Sequence, residues 1–146
     1  MSKPQAGWIW LGAGLAAAYW GWVNRRLFTV NDITTGESAA YPTLRSRVYY
    51  ADISRVMAAA EQSLLRLPGW EMSSRDAEND IIEATASSGL ATDDVTVYSF
   101  DLGHGQTRVT LRARSRAGFG DLGRNAAHIR QLQSAMDDRL NTDAAF

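Results

Sequence analysis

Residues 95–116 read VTVYSFDLGHGQTRVTLRARSR. Two strand-forming runs flank Gly103-His104-Gly105, a spacing that predicts a β-hairpin. In the second run Val109, Leu111, Ala113 and Ser115 point one way. Arg108, Thr110, Arg112, Arg114 and Arg116 point the other, because strand side chains alternate. Working outward, residues 45–50, 70–74 and 80–87 are further strand candidates. Asp52 stands where a helix N-cap is expected. Ile53, Val56, Met57, Ala60 and Leu64 then recur at helical spacing until Pro68-Gly69. A closing helix is expected over about 121–140, with Leu122, Ala126, Ile129, Leu132, Gln133, Met136 and Leu140 inward. Consecutive strands joined by short turns make the sheet antiparallel. The expected class is α+β: four to five antiparallel strands covered by two helices.

The N-terminus reads differently. No charged residue stands between Lys3 and Arg25, and residues 7–23 read GWIWLGAGLAAAYWGWV. Trp8, Trp10, Trp20 and Trp22 bracket the run and Arg25-Arg26 follow it, the pattern of an interfacial belt. This segment is expected to be a transmembrane helix. Gly7, Gly14, Ala18 and Gly21 would form a small-residue packing ridge for other membrane subunits. The expected organisation is 1–28 anchor and flanks, 29–44 linker, 45–140 domain and 141–146 tail. The expected place is the inner membrane, single-pass, with the domain on the cytoplasmic side.

Composition excludes several chemistries. The 146 residues carry 15 Lys+Arg against 16 Asp+Glu, a net charge of -1, so no nucleic-acid footprint is expected. Cys is 0 and His is 2, which removes thiol nucleophiles and most metal-ligand sets; neither a metal nor a cofactor is expected. Gly118-Phe119-Gly120-Asp121-Leu122-Gly123 spells GxGxxG, but it follows the last strand and completes no βαβ unit. It reads as a strand-to-helix turn with Asp121 as cap. Asp93 and Asp94 are adjacent on a strand, so they face opposite ways and do not converge as an acid/base pair. His128 is expected to be partly exposed, and Ser115 has no base beside it in sequence. An enzyme using Asp93 or Asp121 is the weakest option. Arg108, Arg112, Arg114 and Arg116 form a candidate anion or partner surface. The competing reading pairs them with Glu83, Asp94 or Asp101.

The stretch ATDDVTVYSFDLGHGQTRVTLRARSRAGFGDLGRNAAHIRQL resembles the signature half of the domain of unknown function 1499 family. The matching positions are Asp93, Asp94, Arg112, Ser115, Arg116, Gly118, Asp121, Leu122, Gly123, Asn125 and Ile129. Upstream, NDITTGESAAYPTL is similar to the family's opening segment, with Ala39-Ala40-Tyr41-Pro42 where a double proline and phenylalanine are usual. His128 stands where the family usually has arginine. The resemblance covers about 29–140. It implies a small α+β domain, often secreted or membrane-attached, with no known activity. Its recurring arginine, aspartate and asparagine suggest a polar network holding strand to helix.

The leading expectation is a non-catalytic accessory subunit of a membrane complex, best placed in a bacterial photosynthetic reaction centre–antenna assembly. It would pack by its span and dock its extrinsic domain. The alternative is a membrane-tethered module that holds an anionic lipid or small anion on the arginine face.

Overall fold

The computed structural model describes residues 5–25, 29–89, 91–116, 118 and 120–143. The elements are α1 (Gln5–Val23), β1 (Asp32–Thr34), β2 (Arg47–Tyr49), α2 (Ile53–Arg66), β3 (Trp70–Asp76), β4 (Ile81–Ser88), β5 (Ala91–Gly103), β6 (Gln106–Ser115) and α3 (Arg124–Asp143). The class is α+β.

The hairpin at 95–116 forms as the alternation requires. His104 and Gly105 both take positive φ, 54° and 69°, the conformation of a tight two-residue turn. β3, β4, β5 and β6 run as an antiparallel meander. β1 and β2 lie end to end along the free edge of β6, opposite Arg112–Arg114 and Thr107–Val109 respectively. One face of the sheet carries Ile33, Ile82, Val95, Val97, Val109 and Leu111, each at most 2% exposed. Against it pack Val56, Met57 and Leu64 of α2 and Ile129, Leu132 and Met136 of α3. Burying each such side chain contributes roughly 1.5–3 kcal/mol, so these helices are held on the sheet chiefly by this layer. Ala84, Ala86 and Ala113 are buried on the same face. Asp52 precedes α2 through its carbonyl, which accepts the Arg55 and Val56 N–H groups; its side chain makes no cap bond. α2 stops where Gly69 turns the chain at φ +79°.

Three expectations are corrected. The sheet has six strands rather than four or five. The extra one, β1, lies in the segment read as a linker and is only three residues long, too short for a periodic signal. Second, no helix among the described residues is long and apolar enough to cross a membrane. α1 forms over 19 residues. Ten of them are Gly, Trp, Tyr or Gln, and only Ile9, Leu11, Leu15 and Val23 are large aliphatics. Indole and phenol prefer the interface to the hydrocarbon, so a tryptophan-rich run is not equivalent to a leucine-rich one. The transmembrane anchor and the single-pass inner-membrane placement are therefore withdrawn. Third, Leu122 is 64% exposed, because φ +53° places it in the turn before α3 rather than on the helix.

The proposed ridge has no partner within the described chain: a Cβ added at Gly14 or Gly21 would meet nothing within 4 Å. Ala18, Trp20 and Trp22 are exposed, and the Arg25 guanidinium sits 5.3 Å above the Trp22 ring. Arg26 and the surroundings of Gly7, Trp8 and Trp10 lie outside the described residues.

Candidate functional site

The face of the sheet opposite the helices carries the arginines. Register places them in rows. Arg108 lies between Val48 and Phe100, Arg112 between Thr34 and Thr96, and Arg114 between Asp32 and Asp94. Arg112 Nε donates to Asp32 Oδ1 at 3.0 Å, and its Nη2 binds the other carboxylate oxygen. This hydrogen bond outweighs partial burial and holds the Asp32 carboxyl below its ordinary 3.8. Arg116 grips Asp94 through Nε and Nη2 at 2.9 and 2.7 Å. Arg114 has an aspartate on each neighbouring strand, and its charge also lowers the Asp32 pKa. Two of the four arginines, Arg112 and Arg116, are thus held in ion pairs, and Arg114 lies between two aspartates without an ion pair to a described residue. Asp94 is among the partners that the sequence offers; Asp32 is not, because β1 is too short to carry a strand signal.

Arg108 has no aspartate opposite it on either neighbouring strand. It makes no ion pair with a described residue and stacks on Phe100, 5.0 Å from the ring centroid. It opens onto a groove of about 1330 Å³ between the outer sheet face and residues 35–46. Tyr98, Phe100, Thr110 and Arg112 floor it; Glu37, Ser38, Arg45 and Ser46 are on the loop side. Buried Tyr41 and Leu44 anchor that loop. Thr35 N donates to the Leu111 carbonyl at 2.9 Å, while Leu111 N donates back to Thr35 Oγ1 at 3.0 Å. Ser46 Oγ joins Thr35 and Thr110 hydroxyls at 3.2 and 2.9 Å. The wall is therefore fixed by hydrogen bonds at its base. Arg45, like Arg108, forms no ion pair with a described residue, so the groove offers two guanidiniums without a counter-charge against Glu37.

On the helix side the motif residues converge. Asp93 is fully buried, opposite Ser115 on β6. Its carboxylate accepts Ser115 Oγ at 2.8 Å and the Arg124 Nε and Nη2 groups at 3.1 Å each. His128 Nε2 lies 3.1 Å from Asp93 Oδ2. Burial opposes the Asp93 charge, but the bonds from Arg124 and Ser115 and the Arg124 and His128 charges outweigh it, leaving the carboxyl below its ordinary value. Asn125 Nδ2 donates to the Asn31 carbonyl and to Ser115 Oγ, tying β1's approach, β6 and α3 together. Asp121 closes the preceding turn: its carboxylate accepts the Gly123 and Asn125 N–H groups at 2.8 Å each. Gly118 and Gly123 take φ +97° and +82°, which a side chain would oppose. Ser115 and His128 each touch Asp93 rather than one another, so the cluster lacks the serine-to-imidazole contact that activates a nucleophile. It is a fastening. His128 is buried, against expectation, because Asp93 draws it inward and Trp70 covers it edge-on at 5.4 Å.

Asp93, Ser115, Asp121 and Asn125 of this fastening are motif residues singled out in the sequence; Arg124 is not. The profile of an uncharacterised family, described as Protein of unknown function (DUF1499), matches residues 24–136. The chain belongs to that family. No functionally curated protein matches this DUF1499 chain. Among solved structures, a START superfamily protein from Mycobacterium smegmatis aligns with TM-score 0.50 at 9% identity, covering 77% of this chain and 99% of that one. The protein TTHA0849 from Thermus thermophilus aligns with TM-score 0.46 at 14% identity, over 77% and 98%. The Zhui aromatase/cyclase from Streptomyces sp. R1128 aligns with TM-score 0.41 at 13% identity, over 77% and 87%. The first of these shows a shared fold and nothing about activity.

Sequence reading missed Arg124, Asp32 and the groove. Arg124 sits beside Asn125 in the motif and was available as a cation one helical turn before His128. Neither Arg45 nor the loop wall carried a signal, because both depend on residues 35–46 folding back over β6.

Proposed function

We propose that this domain is a non-catalytic binding module that takes an anionic group, carboxylate or phosphate, at the Arg108 end of the outer sheet face. The observation that carries the reading is the pair Arg45 and Arg108, both without an ion partner among the described residues, at a groove whose remaining arginine is already neutralised. Guanidinium offers planar, bidentate donors suited to either anion. An accessory subunit held in its complex by a spanning helix requires that helix; with it withdrawn, the anion reading is the better supported.

A thermal-unfolding series tests it. Ligand that binds only the folded chain stabilises it by RT ln(1 + [L]/Kd). At constant ionic strength, inorganic phosphate or citrate should raise the midpoint of the wild type and of Arg114→Glu, but not of Arg108→Glu or Arg45→Glu. An equal rise in all four proteins would overturn the reading.

A further inference from the structure

Building on that anion reading, we infer that the natural occupant of the groove is an extended acidic segment of a partner protein, with an apolar side chain beside its carboxylates. Size is the first argument. Arg108 to Arg112 spans four residues of β6, about 13 Å of strand. A lone phosphate or acetate would occupy a small part of the 1330 Å³ beside it.

The second argument is what lies around Arg108. Val48 and Phe100 are its direct neighbours on the adjoining strands, 47% and 43% exposed. Leu102, two residues beyond Phe100, is 45% exposed, and Tyr50 beyond Val48 is 84% exposed. Phe100, Tyr50 and Arg108 are of the residue types enriched at protein-contact centres. This patch is continuous with the groove, since Phe100 and Arg108 belong to both.

Charge is the third. Asp32 is held by Arg112, so the lining presents Arg45 and Arg108 against Glu37 alone. A basic segment would meet uncompensated like charge; an acidic one meets its complement. The carboxylates would lie along Arg45 and Arg108, and the apolar side chain on Val48, Phe100 and Leu102.

The test uses the ¹⁵N-labelled full chain. It is titrated with the blocked peptide Glu-Leu-Glu-Phe-Glu, with its Lys-for-Glu counterpart, and with inorganic phosphate. The acidic peptide should shift amides at 34–38, 98–102 and 108–112, and the basic peptide should not. Arg108→Glu should weaken the acidic peptide about tenfold or more. The exposed-site double variant Val48→Ser/Leu102→Ser should keep the wild-type unfolding midpoint and phosphate affinity while losing most peptide affinity. If that variant binds the peptide as the wild type does, the acidic-segment inference falls and the anion reading stands. If neither anion shifts the groove, both fall. Concentration-dependent shifts at these amides without added peptide would assign the face to a second copy of the chain and overturn the inference.

Discussion

Asp93 and Asp94 are adjacent in sequence and opposite in circumstance. Asp94 reaches outward to Arg116, where both side chains are about half exposed, so the pair contributes little. Asp93 points inward and is surrounded by donors. Removing one partner of such a buried cluster leaves cations without their counter-charge, which costs roughly 3–5 kcal/mol. Asp93→Asn should therefore lower stability at neutral pH by about 3 kcal/mol, measured by urea unfolding. The pH dependence has a definite sign. The Asp93 carboxyl lies below its ordinary 3.8 in the folded chain. Its contribution is full above that ordinary value and is lost as pH falls below it towards the folded value. Stability of the wild type should drop more steeply below about pH 4 than that of Asp93→Asn. Equal acid slopes would show that Asp93 is not a charged anchor. Alternation alone separated the two aspartates in sequence. The identity of the inner partners was not legible, because Arg124 and His128 lie 31 and 35 residues away.

Elements were legible in proportion to their length and regularity. β4, β5 and β6 are 8, 13 and 10 residues long, and runs at 80–87, 95–102 and 107–116 mark them in the sequence. α2 carried its apolar stripe and its Pro-Gly stop. β1 has three residues, and only its pairing to Arg112–Arg114 defines it. The groove was illegible for the same reason: its wall depends on Thr35 and Ser46 bonding across to β6, contacts of sequence separation 76 and 64 to Leu111 and Thr110. One junction between elements gives a sharp expectation. Gly69 joins α2 to β3 at φ +79°, and a Cβ there would sit 2.7 Å from the Ser87 carbonyl oxygen. Both the backbone conformation and the contact oppose a side chain. Gly69→Ala should cost at least about 1–2 kcal/mol from conformation alone, with the clash added. Chemical denaturation would measure it; a neutral result would mean that β3 can shift away from β4 freely at Trp70 and Ala86.

At the scale of the molecule, α1 and the folded domain are different objects. Every residue from Gly14 to Trp20 is exposed, and Leu15, Tyr19 and Trp22 are 72%, 69% and 65% open. The core is instead closed by β1 to β6, α2 and α3, with Ile33 among its fully buried residues. Gly14 to Val23 of the Trp-rich segment therefore contribute little to the burial that holds the fold together. A chain beginning at Thr29 keeps Asn31, whose carbonyl receives Asn125, and keeps all of β1. Such a truncation should unfold within about 0.5 kcal/mol of the full chain, the range of changes remote from buried features. Its amides in β4, β5 and β6 should keep their hydrogen-exchange protection, since protection follows the closed core. The groove lies wholly within the retained residues, from Asp32 to Arg112, so phosphate should still raise the unfolding midpoint. A truncated chain that folds and loses that response would show that α1 completes the site. One that loses protection across the sheet would show that α1 is part of the core.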